Sequence, residues 1–131
     1  MATASTTSIA TWTSICIDCP DPEQLARFYH GLTGLPLHDW GGGYFSVGDE
    51  GAIAVVFERV EGYQAPTWPT QQRGQQLHLC FQVDDLATAV ADAEALGASL
   101  AEAQPGDTWR VLLDPAGHPF CLSPRSQEPQ G

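Results

Sequence analysis

The chain contains no lysine, and its five arginines face sixteen acidic residues, for a formal net charge of −11. Five scattered arginines make no basic stripe to neutralise phosphates, which excludes a nucleic-acid binder and argues against docking on an anionic membrane. Long hydrophobic runs are also missing. No segment approaches the ~20 apolar residues a membrane helix needs. The start, MATASTTSIATWT, lacks both a basic end and an apolar stretch, so it does not read as a secretory signal, and a cytoplasmic address is expected. Cysteine is sparse, at positions 16, 19, 80 and 121, in a chain of 131 residues that can bury a core without disulfides. Cys16 and Cys19 have C-x-x-C spacing, but an alternating strand sends them to opposite faces, so they read as buried thiols rather than a metal or redox pair. The acidity has two readings, solubility or attraction of a cationic ligand.

What is present is a repeat. In QLHLCFQVDDLATAVADAEALGA, residues 76–98, Leu77, Leu79, Phe81 and Val83 alternate with His78, Cys80 and Gln82, the pattern of a half-buried strand ending at Asp84. Asp84 and Asp85 then cap a helix with Leu86, Ala89, Val90, Ala93 and Leu96 on one face, closed by Gly97. SICIDCPDPEQLARFYHGLTGL, residues 14–35, repeats the unit, with Leu25, Phe28, Tyr29 and Leu32 as the helix face. Ser14 falls on His78 at an offset of 64 (78 − 14), and Gly51 falls on Gly117 at an offset of 66 (117 − 51). Two copies of about sixty residues are expected to share one core.

In chain order, residues 1–11 read as a flexible lead-in and 125–131 as a disordered tail, flanking one domain over 12–124. Module one spans about 12–60, a linker about 61–75, and module two about 76–124. Gly41, Gly42 and Gly43 mark a sharp turn before strands at Tyr44–Val47 and Ala52–Phe57, which are joined through Gly48 to Gly51. Strands are also expected at Ser99–Glu102, Trp109–Leu113 and Pro119–Ser123, the last two joined by the tight turn Asp114-Pro115-Ala116-Gly117. Each copy is then β-α-β-β-β. Between the copies, Tyr63 and Trp68 are costly to leave in water; they either seal the core or, for Trp68, border a ligand pocket.

With the repeat and the closing VLLDPAGHPFCL in view, the chain resembles the vicinal oxygen chelate superfamily, which includes glyoxalases, bleomycin-resistance proteins and extradiol dioxygenases. The resemblance covers Trp12 to Pro124, and YQAPTWP followed by QQLHL looks like its small glyoxalase-like members. It implies an α+β fold in which two tandem βαβββ modules form an open, cup-shaped sheet around one cavity. It also implies four ligand positions for a divalent metal such as Zn, Ni, Mn or Fe, which carry over to Ser14, His78, Cys121 and Glu58. Of these, His78 and Glu58 are competent ligands. Ser14 is weak, and Cys121 stands where a carboxylate is usual.

Each candidate also has an ordinary reading: His78 as a hydrogen-bonded cavity histidine, Glu58 as a solvated strand end beside Arg59, and His30, His38 and His118 as surface residues. Two function classes stay open. A binding protein would hold a small planar or cationic molecule against Trp40, Trp68 or Trp109, with Ser14 and Cys121 also lining the pocket. An enzyme, a lyase, isomerase or epimerase, would move a proton on an oxygen-bearing substrate with a metal or the His78 and Glu58 pair. The eroded ligand set favours the metal-free pocket and makes ring cleavage by dioxygen the poorest fit. A homodimer is expected, since curled sheets leave strand edges to cover.

Overall fold

The computed structural model describes residues 12–49 and 51–125. The expected lead-in at 1–11 and most of the expected tail lie outside the described residues. Arg125, counted with that tail, is tied down: its backbone N–H donates to the carbonyl of Val83 at 3.0 Å and its guanidinium meets Asp84 at 2.7 Å.

Ten elements follow the βαβββ order twice: β1 Ser14–Cys19, α1 Pro22–Thr33, β2 Leu37–Gly41, β3 Tyr44–Val47, β4 Ala54–Arg59, then β5 Leu79–Val83, α2 Leu86–Ala95, β6 Ser99–Leu100, β7 Arg110–Leu113 and β8 Pro119–Pro124. Each module forms a four-stranded sheet, ordered β1-β4-β3-β2 and β5-β8-β7-β6. In both, the first strand pairs parallel to the last and the other pairs are antiparallel. Identical topology on both halves bears out the duplication.

Strand alternation decides which side chains reach the core. Ile17, Cys19 and Phe57 from module one and Phe120 and Leu122 from module two are buried on one side, while Cys16 and Asp18 between them are exposed. Helix α1 supplies the centre of this core. Asp21 caps it by accepting from the Gln24 N–H at 3.2 Å, Pro22 occupies its first turn, and Gly34 ends it in the left-handed region with its N–H on the His30 carbonyl. Its buried face, Leu25, Ala26, Phe28 and Tyr29, reaches across the module boundary. Tyr29 stacks on Phe57 of its own sheet at 5.7 Å and also meets Phe81 and Phe120 of the other sheet, each at 6.2 Å. One core therefore spans both modules, and a smaller cluster of Ala101, Val111 and Cys121 lies in module two.

One buried carboxylate pins this junction. Asp114 accepts from the Tyr29 hydroxyl at 2.7 Å and from the N–H groups of Ala116 and His118 at 2.8 and 2.9 Å. Burial, then the charge and hydrogen bond of Asp114, push the Tyr29 phenol well above its ordinary pKa. The Asp114 to Gly117 turn is thus both hairpin closure and inter-module clamp.

Element boundaries shift from those expected. The fifth strand begins at Leu79 rather than Gln76, so Leu77 is mostly exposed instead of joining the core. Strand β4 runs Ala54–Arg59, two residues later than the hydrophobic run suggested, because the parallel ladder with β1 extends through Glu58 and Arg59. The shift corrects the register between copies. Cys16 pairs with Val56 and Cys80 with Cys121, so the last strands superpose at 65 (121 − 56), not 66, and Val56 rather than Val55 is the counterpart of Cys121.

Candidate functional site

A cavity of about 580 Å³ opens where β1, the connector before β5 and the β7–β8 turn converge. Strand β1 presents Cys16 and Asp18 because their neighbours Ile17 and Cys19 are committed to the core. The connector folds over as a roof held by its own hydrogen bonds: the Thr67 N–H to the Arg73 carbonyl at 2.8 Å, the Arg73 N–H to Thr67 Oγ1 at 2.9 Å, and Arg73 Nε to the Ala65 carbonyl at 3.0 Å. This roof contributes five glutamines, Gln64, Gln71, Gln72, Gln75 and Gln76. Among the described residues, Asp18 is the one acid and Arg73 the one permanent cation on the wall.

His118 also lines this cavity, which corrects its reading as a surface turn residue. Its Nε2 lies 2.7 Å from the Asp18 carbonyl and 3.1 Å from the Tyr63 hydroxyl, and that hydroxyl donates to the Ala116 carbonyl at 2.8 Å. A carbonyl only accepts, so the network requires the proton on Nε2. Burial, and after it the charge of Asp114, hold the Tyr63 phenol above its ordinary pKa, so it stays a neutral donor.

A second, much smaller cleft of about 30 Å³ adjoins the first, with His78, Gln75 and Pro119 lining both. Trp68, Pro105, Trp109, Val111 and Cys121 line the rest of it. His78 and Cys80 stand two residues apart on one side of the chain, and Cys80 is paired with Cys121, so the three ligand atoms lie within 4.8 Å of one another. Burial, then the neighbouring Cys80 thiol with its hydrogen bond, push the Cys121 thiol up to about 11.

The profile of a family described as a glyoxalase-like domain matches residues 14–123. The chain belongs to the glyoxalase-like domain family. Solved structures agree on the fold. A glyoxalase/bleomycin resistance protein/dioxygenase family enzyme from Burkholderia phytofirmans PsJN is 21% identical with a TM-score of 0.68, covering 88% of this chain and 98% of its own. A glyoxalase-related enzyme from Fulvimarina pelagi is 19% identical with a TM-score of 0.65, covering 94% of each chain. The fosfomycin resistance protein FosX from Mesorhizobium loti is 16% identical with a TM-score of 0.62, covering 90% of this chain and 93% of its own. No curated protein matches the sequence. The vicinal oxygen chelate superfamily and its paired-module α+β architecture are thereby established for this chain.

In this glyoxalase-like domain the candidate residues do not converge. His78 and Cys121 come together, and Trp68 and Trp109 border the same small cleft. Ser14, Glu58 and Trp40 line neither cavity. Glu58 pairs across the sheet with Asp18, and its carbonyl accepts from Cys19 Sγ at 3.6 Å. Trp40 is 67% exposed and donates its indole N–H to Ser46 Oγ at 2.8 Å. Among the described residues, the cluster of metal-capable His, Cys, Asp and Glu side chains contains His78 and Cys121 but not Glu58. The sequence reading missed the glutamine roof, Arg73 and Cys80. The run TQQRGQQ was visible, but only the folded connector shows which way it faces.

Among the described residues, no helix is long and apolar enough to cross a membrane.

Proposed function

We propose that this glyoxalase-like protein binds a small organic molecule, polar and largely uncharged, in the cavity between its modules. The observation carrying this reading is the wall itself. Its volume of about 580 Å³ falls within the ~300–1,000 Å³ of small-molecule sites, and it is lined by five amide side chains with one acid and one base. Amides offer donors and acceptors without charge, so they match hydroxyls, carbonyls and amides of a neutral ligand. A cationic ligand drawn by acidic walls is disfavoured, since Asp18 and Arg73 offset each other.

The test is a thermal-shift and fluorescence titration against size-matched neutral, cationic and anionic compounds. Neutral hydrogen-bonding members should stabilise the protein, and Gln72→Leu with Gln76→Leu should weaken them by about 10-fold per lost hydrogen bond. A preference for charged members, or indifference to both substitutions, would overturn the reading.

Turnover is the second reading, favoured by His78 on the cavity wall. An imidazole there can take or return a proton on a bound ligand without metal assistance. His78→Ala would then abolish exchange of ligand protons with deuterated solvent while leaving affinity within a few-fold.

The protein is further proposed to be cytoplasmic and to pair as a homodimer. Trp40, Tyr44 and Ile53 expose large apolar surface on module one, and β2 and β6 are open sheet edges. Light scattering should give about twice 14.1 kDa. A monomeric mass at micromolar concentration would refute it.

A further inference from the structure

The small cleft has a chemistry separate from the large cavity. Its volume of about 30 Å³ exceeds the ~10–15 Å³ one water requires, yet excludes an organic ligand. It suits an ion with a bound water. His78 and Cys121 line it, and Cys80 stands opposite Cys121 in the β5–β8 ladder, so one imidazole and two thiols come within 4.8 Å of one another beside the cleft.

We propose that His78, Cys80 and Cys121 form a binding site for a single thiophilic d10 cation, Zn(II) in the first instance, with one coordination position left for water. The site departs from the hard histidine and carboxylate set that the superfamily resemblance implies, because its three donors are an imidazole and two thiols with no carboxylate among them. Donor softness decides the metal: two thiolates and an imidazole favour zinc over Mn(II) or Mg(II), which take oxygen ligands.

Geometry supports the assignment. In a tetrahedral zinc site with bonds of ~2.0–2.3 Å, ligand atoms lie roughly 3.5–3.8 Å apart. The three atoms here are already within 4.8 Å, so closing on a metal asks about 1 Å of side-chain movement. The backbone supports this convergence: the parallel register sets Cys80 against Cys121, and His78 lies one residue before that ladder begins at Leu79. Module one lacks the trio, because Ser14, Cys16 and Val56 occupy the equivalent places.

A second observation marks the fourth position. The side-chain carbonyl oxygen of Gln75 is buried without a hydrogen-bond partner, and Gln75 lines this cleft with His78 and Cys121. A buried acceptor left empty is unfavourable and calls for a donor. Water on the metal would be such a donor.

The experiment uses the full chain, reduced and stripped by chelator, titrated with Zn(II) against a chromophoric chelator and in parallel with Co(II) as a spectroscopic stand-in. One equivalent per chain should bind, and the Co(II) form should show thiolate-to-cobalt charge transfer with strong tetrahedral visible bands. Because loss of second-shell partners alone costs 10–100-fold, Cys80→Ser, Cys121→Ser and His78→Ala should each weaken Zn(II) by more than ~100-fold. Cys16→Ser should leave it unchanged. Cys80 is exposed, so Cys80→Ser is the variant expected to fold normally, with its melting curve as the check. A pale octahedral Co(II) spectrum, Zn(II) affinity untouched by Cys80→Ser, or Mn(II) binding as tightly as Zn(II) would each overturn the proposal.

Discussion

The two modules share a topology but divide the work unequally, and their helices show how. Helix α1 has a side-chain cap from Asp21, a proline start, a glycine stop and a buried face of four hydrophobic residues after Pro22. Helix α2 is shorter, its Asp85 makes no side-chain bond to a backbone N–H, and Ala93 alone is fully buried. Asp85 instead accepts from the Thr88 hydroxyl. Large aromatic side chains at 28 and 29 let α1 fill the shared core, whereas the alanine-rich α2 adds only Ala93 and partly buried Leu86, Ala89 and Val90 to it. Duplication supplies two frames, and divergence lets one carry the core while the other carries a cluster of metal-capable side chains.

The sharpest way to break this comparison is a matched pair of truncations. Leu25 is 1% exposed at the centre of α1, so Leu25→Ala should cost about 3 kcal/mol, within the range of buried leucine deletions. Val90 of α2 is only partly buried against the core, and Val90→Ala should cost about 1 kcal/mol. Denaturant melts of both variants give the ratio. Equal losses would mean that the helices contribute alike.

The closing hairpin of module two should be next in sensitivity. Gly117 has φ 89°, and a Cβ added there would sit 2.7 Å from the Cβ of Ala65 on the connector. Gly117→Val combines a left-handed backbone with that clash, for an expected loss of about 2–3 kcal/mol and a melting point lower by roughly 10 °C. Gly51, in the corresponding turn of module one, has φ 82° but nothing within 4 Å of its would-be Cβ. Gly51→Ala should therefore cost only the backbone strain, about 1 kcal/mol. A Gly117→Val protein that melts like the wild type would show that the connector yields.

What could be read from the chain and what could not divide along physical lines. Alternation and capping are local, so both helices, the Tyr44–Val47 strand and the DPAG hairpin were legible, and the repeat gave the paired modules. Register is not local. The place where β4 meets β1 depends on hydrogen bonds between residues some forty positions apart, and an error of one residue put Val55 where Val56 belongs. The same limit hid Cys80, whose importance rests on facing Cys121 across the ladder. His118 was misread because its partners, Tyr63 and the Asp18 carbonyl, are brought to it only by packing the modules together.

The smallest expected effect concerns the buried thiol each module carries. Cys19 in β1 is pushed up to about 11, first by burial and then by the charges of Asp114, Asp21 and Asp18, partly opposed by a backbone hydrogen bond at Asp21. Cys121 in β8 is pushed up to about 11 by burial and by Cys80. A thiol whose pKa is higher folded than unfolded holds its proton longer in the native state. Its stabilisation is full below the unfolded value of 9.0 and is lost as pH rises through about 11. For Cys19 this amounts to about 1 kcal/mol of lost stability by pH ~10. The raised Tyr29 and Tyr63 phenols extend the loss to higher pH. Cys19→Ala should therefore melt below the wild type at neutral pH yet lose less between pH ~9 and ~10.5, and Cys121→Ala should flatten the same window. If the three melting profiles stay parallel across it, deprotonation of these thiols does not drive alkaline unfolding.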